Sequence, residues 1–235
     1  MERNHSNILS SSLSQPIRYA DFVEIIHSRV KKTAAKFIRS KNESWALRRK
    51  LDQKAGKPRY LTKKEETQSQ QGFRIGQTLQ LEIESFYLFS KIYLDKTAHF
   101  LEVYFGEIQN CSFESFSKFT SKLDLLESAH GFKVEHELRE IIVKVEKEIV
   151  DFRNKKIAHA KMPRLDRGLT WNKKGTVLIT SGFFYPKPTD KYFQTADVED
   201  LLKLLEQYTN LWASFIALNR QKSKFQLKGN QSKGN

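Results

Sequence analysis

The sequence predicts a mainly α-helical protein, a bundle of helices with one small β-hairpin before the last helix. Only five prolines and ten glycines interrupt its 235 residues, which is too few breaks for a many-stranded fold. Several long stretches carry apolar side chains at three- and four-residue spacing, the pattern of amphipathic helices. Hydrophobic residues make up 39% and aromatic residues 12% of the chain, so a packed core is expected rather than disorder.

The apolar pattern divides the chain into five helices. A long, strongly apolar stretch that ends at Phe105 is expected to be the central core helix, and a fourth helix carries a clear apolar stripe that begins at Val134. Thr195 or Asp197 is placed to cap the last helix. The expected helices cover about 19–51, 73–105, 113–126, 134–152 and 197–218.

One helical domain is expected over residues 17–222. Residues 1–16 are rich in Ser and Asn and are predicted to form a flexible N-terminal arm. Residues 53–71 are polar and contain a glycine and a proline, so they are predicted to be a basic connector within the domain. Residues 223–235 are basic and poor in apolar residues, and they are predicted to be a flexible tail.

A short β element is expected between the fourth helix and the last one. After Pro163 the helical spacing stops, and two short stretches, 169–171 and 176–180, flank the residues 172–175. The sequence Asn-Lys-Lys-Gly between the two stretches suits a turn, so this arrangement predicts a hairpin of two strands.

The cytoplasm is the expected compartment. The opening MERNHSNILSSSLSQ is polar and does not have the apolar centre of a secretory signal. The longest uncharged stretches, such as YTNLWASFIALN, are too short to span a bilayer, so no membrane partner is expected. A single cysteine, Cys111, excludes an internal disulfide framework and suits a reducing compartment.

The formal net charge is +14, and the positive charge lies mainly in two zones. Between Arg29 and Lys64, 14 Lys and Arg residues face two acids, an excess of +12. Between Arg153 and Lys174, eight basic residues face only Asp166, an excess of +7. Charge of this density attracts polyanions through long-range steering and counterion release, so nucleic acid is the expected partner.

Two other interpretations of the basic zones remain open at this point. Either zone is also compatible with a solvated surface that keeps the protein soluble. An anionic membrane fits less well, because neither zone has a strong apolar face with interfacial Trp residues.

Several familiar chemistries find no support in the sequence. It has neither the GxxxxGK[ST] phosphate loop nor the GxGxxG fingerprint, so no nucleotide cofactor is expected. It has no HExxH motif and no paired Cys and His residues, so no metal site is expected. The six histidines are scattered, and His130 and His136 are six residues apart, a spacing that suits a helix surface better than a metal site.

The end of the fourth helix breaks its own apolar pattern. If the α-helix continues at about 100° per residue, His159 falls on the apolar stripe and Arg153 lies at its edge. Polar and cationic side chains at such positions are costly unless they are paired or face a cleft, and such breaks concentrate at functional sites. A helix C-terminus would also favour Arg, Lys and His through the helix dipole, which explains the charge but not the position of His159.

The segment RNKKIAHA resembles the catalytic motif of the HEPN superfamily, which has an Arg, four to six intervening residues and a His. Arg153 and His159 have five residues between them, and Asn154 is of the polar type that the family favours after the Arg. The wording is similar to that of abortive-infection-type members, and its place late in a long amphipathic helix is also similar. The resemblance covers about residues 134–218, and more loosely the long helix before them.

The resemblance implies a HEPN-like antiparallel helical bundle that acts as a metal-independent endoribonuclease, in a toxin or an antiviral-defence effector. It implies that His159 is the general acid or base, that Arg153 holds the scissile phosphate and that Asn154 orients the His or the phosphate by hydrogen bonding. The expected products carry 2′,3′-cyclic phosphate and 5′-hydroxyl ends. The residues expected to attract the RNA backbone are Lys155, Lys156, Lys161, Arg48, Arg49 and Lys50.

A homodimer through the motif-bearing helix is also expected. Six residues of α-helix separate Arg153 from His159 by about 9 Å of rise and about 120° of rotation. A two-fold interface would bring two copies of the motif around one cleft, which is how HEPN ribonucleases usually assemble. Lys161 stands where some HEPN toxins have a modified Tyr, so a nucleotidyltransferase antitoxin is not expected. The identity of any inhibitor protein stays open.

A second function, from another class, remains compatible with the sequence. The chain would then be a non-catalytic, HEPN-like RNA-binding or assembly module, for which basic zones and an apolar stripe suffice. The pair Arg153 and His159 distinguishes the two functions, because a module that only binds RNA has no need of that His in that place.

Overall fold

The computed structural model describes residues 2–52, 62–108, 112–151, 153–154, 165–171, 177–183, 193–194 and 198–225. Most of these residues are helical, which confirms the predicted mainly α-helical class. Among the described residues, no helix is long and apolar enough to cross a membrane. The helices are α1 (Glu2–Asp52), α2 (Lys63–Phe105), α3 (Phe116–Ser121), α4 (Leu123–His130), α5 (His136–Val145), a π-helix (Glu146–Asp151), α6 (Val198–Leu218) and a 3₁₀-helix (Arg220–Lys222).

The two long helices, α1 and α2, pack side by side in opposite directions. The ring of Tyr19 lies 6.2 Å from the ring of Phe89, and further along α1 the side chain of Ser40 reaches Gly72 of α2. A Cβ atom added at Gly72 would come within 3.0 Å of Ser40 Oγ. The glycine therefore allows α1 and α2 to approach each other closely in the N-terminal part of α2.

The last helix, α6, runs in the same direction as α2 and completes the core. Tyr208 packs against Tyr93 with ring centroids 6.4 Å apart, and Phe215 packs against Phe105 with centroids 6.0 Å apart. The short helices α3 and α4 close the core with aromatic and aliphatic side chains. The fully buried side chains of this part of the core include Phe116 and Phe119 of α3, Leu126 of α4, Tyr208 and Trp212 of α6, and Phe113 just before α3.

The structure extends α1 through the segment 1–16 that was predicted to be a flexible arm. The helix is continuous from Glu2 and includes Pro16, whose side chain is buried. Proline removes one backbone donor and disturbs one turn, but each further helical residue adds a hydrogen bond once the helix is nucleated. The arm prediction therefore needs correction for the backbone of residues 2–16.

The second correction concerns the predicted connector 53–71. Residues 53–61 lie outside the described residues, whereas α2 already begins at Lys63. Thr62 caps it: the Glu65 amide donates to Thr62 Oγ1 over 3.4 Å, and the Thr62 amide donates to Glu65 Oε2 over 2.6 Å. This reciprocal capping box satisfies two backbone donors and starts the helix ten residues earlier than the apolar pattern suggested.

The predicted third helix, 113–126, is two short helices in the structure. Lys122 separates α3 from α4, and Ser115 caps α3 by accepting a hydrogen bond from the Lys118 amide. The second of these helices ends at His130, because Gly131 takes the left-handed conformation with φ 63° and ψ 35°.

Part of the predicted flexible tail, 223–235, is packed against the bundle. Ser223 is buried, and its hydroxyl donates to the carbonyl of Tyr104 over 3.2 Å. The amide of Lys224 donates to the same carbonyl over 2.9 Å. These two bonds satisfy a carbonyl that the C-terminal end of α2 leaves without a helical partner, so residues 223–225 belong to the folded domain. Residues 226–235 lie outside the described residues.

Three strands are present between the π-helix and α6: β1 (Leu165–Trp171), β2 (Val177–Phe183) and β3 (Phe193–Gln194). Strand β2 pairs with β1 and β3, antiparallel to both, and Leu169 lies opposite Ile179. The predicted hairpin stretches, 169–171 and 176–180, fall on this part of the chain. The residues between the two strands, 172–176, and the side chains of all three strands lie outside the described part of the structure.

Candidate functional site

The helix that leads to the candidate site changes type before it reaches the site. Helix α5 ends at Val145, and the chain continues as a π-helix over Glu146–Asp151. A π-helix bonds each amide to the carbonyl five residues earlier, so it holds more residues per turn than an α-helix. The expectation that His159 falls on the α5 stripe assumed an uninterrupted α-helix, and the structure corrects that assumption after Val145.

The apolar stripe of α5 is buried within the chain itself. Val134, Leu138 and Ile142 have at most 2% of their surface exposed, Val145 and Ile149 have none, and Ile141 is half-buried against the core. Since one chain already covers these side chains, the stripe does not need a second copy to remove it from water. Burial of these side chains therefore gives no support to the predicted homodimer, for which the argument is the motif.

Arg153 and Asn154 also have π-helical backbone, and they contact one another. Both side chains are half-buried, and Arg153 Nη1 donates a hydrogen bond to Asn154 Oδ1 over 3.1 Å. Among the described side chains, no carboxylate forms an ion pair with Arg153. An amide oxygen orients a guanidinium without neutralising it.

Helix α2 packs against the π-helix, and the charge of Glu148 in the π-helix acts on Tyr87 of α2. Tyr87 is almost fully buried, and burial, followed by the charge of Glu148, raises the pKa of its hydroxyl well above the usual range. Tyr87 therefore stays protonated at neutral pH. Glu148 precedes Arg153 by five residues, which is the spacing of one hydrogen bond along a π-helix. An acidic residue and the motif arginine therefore lie about one turn apart in this segment.

The remaining residues of the predicted motif lie outside the described residues. These are Phe152, Lys155, Lys156, His159 and Lys161. The structure thus brings Arg153 and Asn154 together, and the position of His159 relative to them stays a prediction.

The cations of the first basic zone, between Arg29 and Lys64, differ in whether they form ion pairs. Arg29 Nε lies 3.3 Å from Glu82 Oε1 of α2, and Lys31 Nζ lies 3.1 Å from Glu199 Oε2 of α6. Three other cations of α1 are exposed and form no ion pair within the described part of the chain: Lys32, Lys36 and Arg39. These three were not among the predicted RNA-binding residues, although their spacing of four and three residues in the sequence is that of one helix face.

The residues predicted to bind RNA in the same zone lie near the end of α1. The backbone of Arg48, Arg49 and Lys50 is helical, while their side chains lie outside the described part of the structure.

Among the described residues there is also no group of three or more His, Cys, Asp or Glu side chains placed to hold a metal ion.

Comparisons with protein-family models, with curated proteins and with solved structures found no match to this chain.

Proposed function

We propose that this chain is a metal-independent endoribonuclease of the HEPN type, with Arg153, Asn154 and His159 as its catalytic residues. The observation that carries the proposal is the state of Arg153. Its guanidinium is held by the neutral amide of Asn154 at 3.1 Å, without a carboxylate partner among the described residues. This arrangement lies within the Arg-x5-His motif and on π-helical backbone, a helix type that is frequent at functional sites.

The reaction uses a nucleophile that RNA itself carries. The 2′-oxygen bonds to the phosphorus atom while the bond between phosphorus and the 5′-oxygen breaks, which leaves a 2′,3′-cyclic phosphate and a 5′-hydroxyl. A base takes the 2′-hydroxyl proton, and an acid gives a proton to the departing 5′-oxygen. A histidine imidazole can take up or give a proton near neutral pH, so His159 is the residue proposed for either step. The planar donors of Arg153 bind the phosphate oxygens and stabilise their negative charge as the bond forms.

The proposed active form is a homodimer in which two motif-bearing segments face one cleft. A two-fold axis doubles each group at the cleft, so one His159 acts as the base while the other acts as the acid. Lys155, Lys156 and Lys161 attract the RNA backbone to the same place without reading its bases. This assembly rests on the motif, since the α5 stripe is already buried in one chain.

In the cell the proposed role is that of a toxin or an antiviral-defence effector in the cytoplasm, acting on RNA. An enzyme of this kind has to be held inactive until it is needed, so an inhibitor or antitoxin protein belongs to the proposal. The absence of a Tyr two residues after His159, where the chain has Lys161, argues against control by tyrosine modification at that position.

A cleavage assay tests the proposed function directly. Purified protein is incubated with mixed cellular RNA in excess EDTA, and the ends of the fragments are identified by their reactivity toward phosphatase and kinase. We expect cleavage that survives EDTA and leaves cyclic phosphate and 5′-hydroxyl ends. Cleavage that requires a divalent cation, or fragments with 5′-phosphate ends, would contradict the 2′-hydroxyl mechanism.

The exposed cations of α1 support a second candidate, a non-catalytic RNA-binding or assembly module. Lys32, Lys36 and Arg39 can attract phosphates without any contribution from His159. Wild-type protein that binds RNA and leaves it intact in the same assay would favour this module over the nuclease.

A further inference from the structure

The outer face of α1 presents a short row of cations that the fold does not neutralise. Lys32, Lys36 and Arg39 are exposed and form no ion pair with any described side chain. Their neighbours Arg29 and Lys31 behave differently, because each is bound to a carboxylate of another helix. Within the described residues, two cations of this stretch of α1 are thus paired with carboxylates of other helices, and three are exposed without such a pair.

The three cations lie in line on a rigid helix. At about 100° and 1.5 Å per residue, they fall within about 60° of one another and span roughly 10 Å along the axis. Glu43 follows four residues after Arg39 and marks the end of the row. Fixed positive charges at intervals of about 5 Å suit a partner whose negative charges are also fixed and regularly spaced.

The surroundings of the row favour a nucleic acid duplex over other anionic partners. Among the described side chains of α1 from 29 to 44, none is both large, apolar and exposed, and Phe37 is fully buried. A membrane surface requires an apolar face beside the cations. A single strand is bound mainly by stacking its bases on exposed aromatic rings. Duplex RNA is recognised through its shape and its phosphates, which needs neither feature.

We propose that the row Lys32, Lys36 and Arg39 binds the phosphate backbone of double-stranded RNA. The choice of a duplex rests on this surface, and the choice of RNA over DNA rests on the proposed function. The row would dock a structured region of the RNA on α1 and leave cleavage to the motif that contains Arg153. Binding through phosphates carries no base preference, so recognition would follow the shape of the RNA rather than its sequence.

Binding is tested with an RNA duplex that cannot be cleaved by its own 2′-hydroxyls. Every sugar of a short blunt duplex is 2′-O-methylated, and affinity is measured by fluorescence anisotropy over a range of salt concentrations. The probes for comparison are a methylated single strand and a DNA duplex of the same sequence. The test variant replaces Lys32, Lys36 and Arg39 with Gln. The matched control replaces Lys133, Lys203 and Arg220 with Gln, since these are also exposed and removing them lowers the net charge equally.

We expect the test variant to bind the RNA duplex at least about tenfold more weakly and to flatten the log–log salt slope by roughly 2 to 3 units, about one for each lost phosphate contact. The control variant should change both quantities much less. The proposal is overturned by equal losses in the two variants, by a single strand that binds as tightly as the duplex, or by binding to the DNA duplex alone. If duplex binding depends on the row but unmodified RNA is not cleaved, the proposed nuclease function is contradicted and the proposed RNA-binding surface is retained.

Discussion

Asn154 accepts a hydrogen bond from the guanidinium of Arg153, its neighbour in the chain, and the acceptor is an uncharged amide oxygen 3.1 Å from Nη1. A carboxylate in the same place would hold the arginine as firmly and also cancel its charge. An Asn at position 154 therefore does not cancel the positive charge of Arg153, whereas an Asp at the same position would form an ion pair with it.

Replacing Asn154 with Asp should therefore inhibit RNA cleavage more than removing the side chain. Asn154→Asp keeps the size of the residue but neutralises Arg153 and repels the phosphate, so we expect a loss of about 10²- to 10³-fold in the cleavage rate. Asn154→Ala only frees Arg153 and should cost less. Initial rates in EDTA give the comparison. If Asn154→Asp cuts as fast as the wild type, the amide has no role in keeping the arginine charged and available.

The catalytic assignment predicts that His159→Ala and Arg153→Ala each lower the cleavage rate by about 10²- to 10⁴-fold, the range for loss of a proton-transfer or charge-stabilising group. Helical circular dichroism and Tm should stay near those of the wild type. His136→Ala is the matched control, because that side chain is 87% exposed and only pairs with Glu140 at the surface. Cleavage by His159→Ala at the wild-type rate would remove His159 from the mechanism.

The proposed dimer predicts that Phe152→Glu is folded, monomeric and inactive. At a two-fold axis the new charge would meet its own copy, and this self-repulsion weakens the association of the two chains. Sedimentation at micromolar concentration measures the state of association. The control is Val143→Glu, which adds the same charge to an exposed position of α5. A wild type that is strictly monomeric and still cuts RNA would show that one chain completes the site.

Burial of the α5 stripe within one chain predicts an effect on folding rather than on association. Val145 is fully buried, whereas Val143, two residues earlier, is 65% exposed. Val145→Ala should lower the free energy of unfolding by about 2 kcal/mol through lost burial and a small cavity. Val143→Ala should change it by less than about 0.5 kcal/mol. Urea unfolding at several protein concentrations measures both, and a loss that appears only as weaker association would place Val145 in an interface instead.

Much of the helical bundle could be predicted from apolar spacing. The ends of α2 at Phe105 and of α6 at Leu218 agree with the expected helices, because the apolar pattern stops at both residues. The start of α2 was missed because the residues after Thr62 are polar, although Thr62 and Glu65 have the spacing of a capping box. The division between α3 and α4 at Lys122 has no proline or glycine to announce it, so it depends on packing.

The candidate site was only partly predictable. The motif could be read from the sequence, but the sequence predicted that Asn154 orients the His or the phosphate, whereas in the structure its amide oxygen accepts a hydrogen bond from Arg153. The π-helix could not be read from the sequence, because a helix that changes its hydrogen-bond pattern keeps the same apolar residues and responds to tertiary packing. The division of the α1 cations also needed the structure, since Glu82 and Glu199 are far from them in sequence and reach them only through the fold.

The π-helix has a practical consequence for anyone choosing residues to change beyond α5. Each turn of Glu146–Asp151 accommodates about one residue more than an α-helical turn. A helical wheel that is drawn from α5 and continued through this segment as an α-helix therefore gives the following residues the wrong direction around the helix axis. The error is about 100° for each extra residue. Deletion of a single residue within 146–151 would remove that offset and turn Arg153 away from its present direction, even though every residue of the RNKKIAHA segment would still be present.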